Sequence, residues 1–177
     1  RSNVVNEWAK GVFAQSGQAL FGLAELLALQ GMPEAGNAQA LHRSLENLTL
    51  YIPMVDEIAV LGSEGRMLAS GSDDYNANVD ISETQFFNAF KQGRQRELVT
   101  PLYWSESEQQ FYLYHGRGLD GPNGDFAGVV IARIVPRVFA DALHQMHVYE
   151  GESIALIDSE SKLIARHPSP GEQFPIG

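Results

Sequence analysis

Arg133 interrupts GVVIARIV, residues 128–135, a run that is otherwise apolar. A guanidinium set in such a run needs a partner, because isolated charge in a low-dielectric interior is costly. One candidate chemistry is a forked clamp on a ligand carboxylate, which suits arginine's planar donors. The other is a structural ion pair with an Asp or Glu of the chain itself, or an arginine at a sheet edge. Arg117, near the end of the neighbouring strand, is a candidate second donor. Phe86, Phe87, Tyr103, Trp104, Tyr112 and Tyr114 add an aromatic group. Aromatic walls with a few polar tips make small-molecule pockets, yet aromatic residues on strands also serve as plain core. Tyr112 and Tyr114 share one strand face, opposite Phe111 and Leu113, so only one of these pairs points inward.

Other spacings fail on inspection. Gly116-x-Gly118-x-x-Gly121 fits a dinucleotide pattern but leads into a turn and strand, where that chemistry needs a helix N-terminus. Asp74, Asn76, Asn78 and Asp80 alternate like a calcium loop. Val79 stands where the loop needs Gly and Gln85 where it needs Glu, which leaves at most a weak surface site. His144 and His147 stand one helical turn apart, with only Glu150 as a near third ligand; exposed histidines are the simpler reading, and no metal is expected. There is no Gly-x-Ser-x-Gly elbow, no P-loop and, without cysteine, no Cys-His pair. No residue set for catalysis is visible, and no cofactor is called for.

Composition narrows the partners. The 177 residues carry 12 Lys+Arg against 22 Asp+Glu, a formal net charge of -10. Such a chain repels phosphate backbones and anionic lipid heads, so nucleic acid is not an expected partner. The absence of cysteine excludes a disulfide scaffold and thiolate metal sites. No signal peptide and no apolar run long enough to span a bilayer are read from the sequence.

The elements that must position these residues follow from periodicity. The first thirty or so residues read as one helix, with Val5, Trp8, Val12, Ala19, Leu23 and Leu26 on one stripe and Phe13, Leu20 and Leu27 beside it. A second helix is predicted from about Asn37 to Tyr51, stopped by Pro53. Strands follow near 57–70 (a hairpin), 98–104, 110–117 and 125–135. Between them SETQFFNAFKQ opens on a capping signal at Ser82 and reads as a short helix. Pro136 starts another helix, to about Met146. IAVLGSEGRMLAS (Ile58–Ser70) and IALIDSESKLIAR (Ile154–Arg166) are near-copies, 96 positions apart. The pattern predicts an α+β fold in three parts. Residues 1–52 form helices that pack on their own domain or on a second copy, and that the resemblance given below makes a dimerising stalk; 53–150 form one sensor-sized module, and 151–177 the opening of a second, truncated module. The chain begins inside a helical pattern, as an excised fragment would.

The order and residues resemble the Cache family of PAS-like extracytoplasmic sensors, the double-Cache form in particular. The likeness is carried by VDEIAVLGSEGRMLAS in the first hairpin, VDISETQFFNAFKQG at the helix, and VTPLYW at the third strand. RGLDGPNGDFAGVVIARI matches the last hairpin, and SIALIDSESKLIARHP the opening of a membrane-proximal module. It spans most of the chain from Val55 onward. The resemblance implies a long N-terminal helix leading into an antiparallel sheet flanked by helices. It implies a periplasmic part of an inner-membrane receptor: a diguanylate cyclase, histidine kinase or chemoreceptor. It also implies a bound small metabolite, walled by the six aromatic residues above, and a homodimer formed through the first helix. Amino-acid-binding members carry Arg where Thr84 stands, Trp-Tyr where Phe86-Phe87 stand, and an amine-binding Asp where Arg133 stands. That last exchange points to an anionic, carboxylate-like ligand and away from a standard α-amino-acid site. A periplasmic protein-interaction module with a filled core is the alternative, and a hydrolase assembled from distant segments a third.

Overall fold

Alternating apolar residues in the middle of the chain build a six-stranded antiparallel sheet, and long helical stripes cover it. The computed structural model describes residues 2–33, 38–52, 54–72, 80–106, 108–145 and 152–168. Helix α1 (Ser2–Gln30) and α2 (Ala38–Leu50) precede β1 (Val55–Gly62) and β2 (Met67–Ser70). Then come α3 (Gln85–Lys91), β3 (Glu97–Val99), β4 (Tyr103–Ser105), β5 (Gln110–Asp120) and β6 (Phe126–Ile134). Helix α4 (Arg137–His144) leads to a separate hairpin, β7 (Ile154–Ile157) and β8 (Leu163–His167). The main sheet runs β2-β1-β6-β5-β3, with β4 also on β5. First and last strands are thus central neighbours.

The period-2 alternation of β1, β5 and β6 gives the sheet two different faces. Ile58, Val60, Leu113, Val130, Ala132 and Ile134 pack under α1 and α2, with Leu20, Leu23, Leu27 and Leu45 above them. Ala59, Leu61, Val129 and Ile131 face α3 through Phe87 and Phe90. Gly116 lies below α3, where an added Cβ would come within 2.5 Å of Phe86 Cζ, so its missing side chain lets the helix sit down on β5.

Several boundaries differ from the sequence reading. The strand expected near 98–104 is two, β3 and β4, because Pro101 between them has no N–H for a ladder. The cap of α3 is Thr84, not Ser82: its side chain accepts the Phe87 N–H at 3.2 Å. On α1 the buried stripe is Leu20, Leu23 and Leu27 with Ala9 and Ser16, while Leu26 is exposed. The segment Glu7–Gln30 is, by length and composition, apolar enough to cross a bilayer, contrary to the sequence expectation. Of that apolar stretch 33% is buried, Leu20, Leu23 and Leu27 packing on the sheet while Phe21, Leu26 and Leu29 stay exposed. Met146, His147, Glu150 and the Asp74–Asn78 part of the calcium-like loop lie outside the described residues.

The two near-copies fold alike to the level of register. Ala59↔Ser70, Val60↔Ala69 and Leu61↔Met67 pair in the first hairpin, with an irregularity after Val60. Ala155↔Arg166, Leu156↔Ala165 and Ile157↔Leu163 pair in the second, with the irregularity after Leu156. Gly62 N–H donates to Arg66 O and Asp158 N–H to Lys162 O, both at 2.9 Å. The left-handed turn position is Gly65 (φ 77°) in one copy and Ser161 (φ 66°) in the other. A Cβ at that φ is strained, by roughly 1–2 kcal/mol for a non-glycine residue. Ser161→Gly is therefore expected to slow amide exchange across β7 and β8 by a factor of about 2–5, net of glycine's larger unfolded-state entropy. Unchanged exchange would mean that the turn does not limit the hairpin.

Candidate ligand-binding site

Arg133 sits near the end of β6 on the α3 side of the sheet, beyond the stretch that α3 covers. Its cross-strand neighbours are Glu57 on β1 and Tyr114 on β5. The irregularity between Val55 and Glu57 brings Asp56 round as well. Asp56 takes Arg133 in a fork, Nε to Oδ1 and Nη2 to Oδ2, both at 3.0 Å. Nη1 donates to Glu108 at 2.8 Å and lies 3.3 Å from Glu57. The guanidinium carbon stands 4.5 Å over the Tyr112 ring. Tyr112 donates its hydroxyl to Glu108, and Ser70 donates to Glu57.

The donors of Arg133 are engaged by carboxylates of the chain itself. One guanidinium and three carboxylates form an ion cluster, the structural-pair alternative of the sequence reading. Burial alone would pull the guanidinium pKa down, but the hydrogen bonds and charge of Asp56, followed by the charge of Glu57, hold it above its usual value. Tyr112's hydroxyl, against the opposing effect of burial and with help from Arg133, holds the Glu108 carboxyl below its usual range. Burial pushes the Tyr114 phenol up to about 12, and Tyr112 is raised by burial and by Glu108. Arg133 and Glu108 are thus charged, and Tyr112 and Tyr114 neutral, at neutral pH. Local charge sums to about −2 by formal count.

The aromatic candidates divide. Tyr103, Tyr112 and Tyr114 line the same face as Arg133, with Tyr114 6.1 Å from Tyr103 and 6.3 Å from Tyr112 between ring centroids. Tyr103 is 57% exposed and forms the open edge. Trp104 does not join them. It pairs with Phe111 on the other face, rings 4.9 Å apart, because adjacent strand residues point oppositely. Phe86 packs edge-on against Phe90 and Phe87 against Phe126, both within the core under α3.

Arg117 is likewise on the opposite face, so it is no second donor to the cluster. It lies 4.7 Å over Phe21 of α1 and donates to Glu97 at 2.8 Å. Glu97 also bonds His115 Nε2 at 2.8 Å, and Ser16 of α1 meets His115 Nδ1 at 2.7 Å. Helix α1 is so tied to β5 and β3 by a polar chain that is buried at Ser16 and His115 and reaches solvent at Glu97. Burial outweighs the Glu97 bond and holds the His115 pKa below its usual 6.5. Sequence reasoning missed this group and the three carboxylates. The signals were a His amid alternating apolar residues on β5, and Asp-Glu at the start of β1.

No family model matches the sequence, and no curated protein matches it at a significant level. Solved structures do. The extracellular domain of a protein assigned as the histidine kinase rpHK1S-Z16 superposes with a TM-score of 0.85 at 21% identity, over 99% of this chain and 70% of that one. The ligand-binding domain of the Campylobacter jejuni chemoreceptor Tlp3 with L-valine gives 0.72 at 15%, over 93% and 67%. The ligand-binding domain of the Pseudomonas aeruginosa amino-acid chemoreceptor PctC with GABA gives 0.68 at 17%, over 96% and 72%. The chain has the α+β fold of extracellular sensory domains of receptors. These neighbours are sensory and not catalytic domains.

Proposed function

We propose that this chain is the small-molecule-sensing part of a membrane receptor, set outside the inner membrane in double-Cache form. Its ligand is held on the sheet face formed by Tyr103, Tyr112, Tyr114 and the Arg133 cluster. The observation that carries the ligand chemistry is the charge of that cluster. A simple carboxylate would have to displace Glu108 from Arg133 and enter a field of formal charge about −2. A ligand bearing an ammonium group meets three carboxylates and aromatic faces that favour cations. Its own carboxylate, if present, takes the Arg133 Nη1 position that half-exposed Glu108 holds. The sequence reading of an anionic ligand is therefore replaced by an amine-bearing one, amino-acid-like in size. That two of the neighbours hold L-valine and GABA agrees with this chemistry.

Signal would pass from β5, whose one face carries Tyr112 and Tyr114 and whose other carries His115, into α1. In the homodimer α1 presents exposed Leu26 and Leu29 to its counterpart. Only a ligand that binds one dimer arrangement better than the other transmits anything. The type of output domain, kinase, cyclase or chemoreceptor, lies beyond this chain. A second reading, an interaction module, draws on the internally paired Arg133 and the packed phenylalanines under α3.

A thermal-shift panel of α-amino acids, ω-amino acids, simple amines and simple carboxylates separates the readings. At a hundredfold excess over Kd a ligand adds about 2.7 kcal/mol, roughly 5–10 °C at this chain length. Amine-bearing compounds are expected to give the shift, and Glu57→Gln to reduce it. A shift with carboxylates alone would overturn the charge argument, and no shift with any compound would favour the interaction module.

A further inference from the structure

His144 closes α4 and His167 closes β8, two elements that belong to different modules of the sequence pattern. Their rings stand at 90° with centroids 4.9 Å apart, and their Nδ1 atoms face each other at 3.3 Å. That contact is a hydrogen bond between the two imidazoles. The same separation suits one tetrahedral ion between the rings, since metal–nitrogen bonds of about 2.0–2.1 Å at a tetrahedral angle place the nitrogens ~3.3 Å apart. Asp141 stands one turn before His144 on α4. Among the described residues no third side chain completes the group.

We propose that His144 and His167 form a binding site for a late first-row divalent ion, Zn2+ or Ni2+, that pins α4 to β8. Neutral imidazole selects these ions over Mg2+ and Ca2+, which require oxygen. The site lies away from the Arg133 cluster and does not depend on the sensing role proposed above. Its consequence is a staple: with the ion bound, the helix leaving the first module and the second hairpin move as one body.

Calorimetric titration of the metal-stripped chain with ZnCl2, and separately with NiCl2 and MgCl2, tests this. One saturable equivalent of Zn2+ or Ni2+ and none of Mg2+ is expected, with His144→Gln and His167→Gln each weakening binding by about tenfold or more. Circular dichroism checks that the variants are folded. Long-range proton–nitrogen spectra of the unmodified chain give an independent reading, in which the Nδ1 resonances of both residues shift on Zn2+ addition. Absence of saturable binding, undiminished affinity in His144→Gln, or metal-induced shifts confined to other histidines would overturn the site.

Discussion

Arg133→Ala is expected to lower stability by about 3 kcal/mol, which at this chain length is roughly 6–12 °C in Tm. Arg133 is 17% exposed, Asp56 33% and Glu57 15%, so removing the cation leaves two poorly solvated carboxylates facing each other. Glu108 is 42% exposed, and its share of the effect is discounted for solvent screening. Tyr112 also loses the planar group stacked on it, and with it packing area. The cost arises from orphaned charge and not from a lost fork alone. Neutralising the partners in the same chain, as Arg133→Met with Asp56→Asn and Glu57→Gln, is therefore expected to recover most of the loss. Denaturation of the single and triple variants checks both statements. A single variant as stable as the parent would show that water reaches the cluster freely.

His115 gives the second large effect, because it is 2% exposed and joins α1 to the sheet. His115→Ala takes one hydrogen bond each from Ser16, which keeps the Val12 and Phe13 carbonyls, and from Glu97, which keeps Arg117, and opens a hole beside Phe13, at about 2–3 kcal/mol. The change is also expected to raise proteolysis within α1 ahead of the sheet. The histidine brings a pH dependence whose sign follows from its lowered pKa. The unfolded chain takes up the proton near 6.5 while the fold resists it, so this stabilisation is whole above 6.5 and lost as pH falls through the folded value. Glu97 and Arg117 face the ring and oppose each other. The lowered carboxyls of Glu108 and Asp158 contribute separately, and theirs is lost only at more acid pH, below about 4.5. Melting between pH 7.5 and 5.5 should thus fall in the parent chain and be nearly flat in His115→Gln. Equal slopes in both would remove His115 as the cause.

How far the sequence carried depended on whether a feature was local. Both hairpins and their shared turn were legible, because a turn writes its own residues; Gly65 and Ser161 mark it even where only one is the favoured type. Helices α1 and α2 followed from period and from Pro53. The split of β3 from β4 is also written locally, in Pro101, which has no N–H for the ladder. The site was legible only in part. That Tyr112 and Tyr114 share a face follows from alternation within one strand. That Trp104 and Arg117 turn away from Arg133 requires knowing which face each strand buries. The cluster itself needs Asp56 beside Arg133, 77 positions away, through the pairing of β1 with β6. No pattern within one strand encodes that register.

The central claim is that an amine-bearing small molecule binds on the sheet face at Arg133. Nuclear magnetic resonance mapping of the chain, titrated with whichever amino acid or amine raises its melting point most, tests this directly. The account predicts that the Arg133 Nε–H signal and the backbone amides of Asp56, Glu57, Tyr112 and Tyr114 move together and saturate. Shifts confined to α2 or to the β7–β8 hairpin, with the Arg133 signal unmoved, would contradict it.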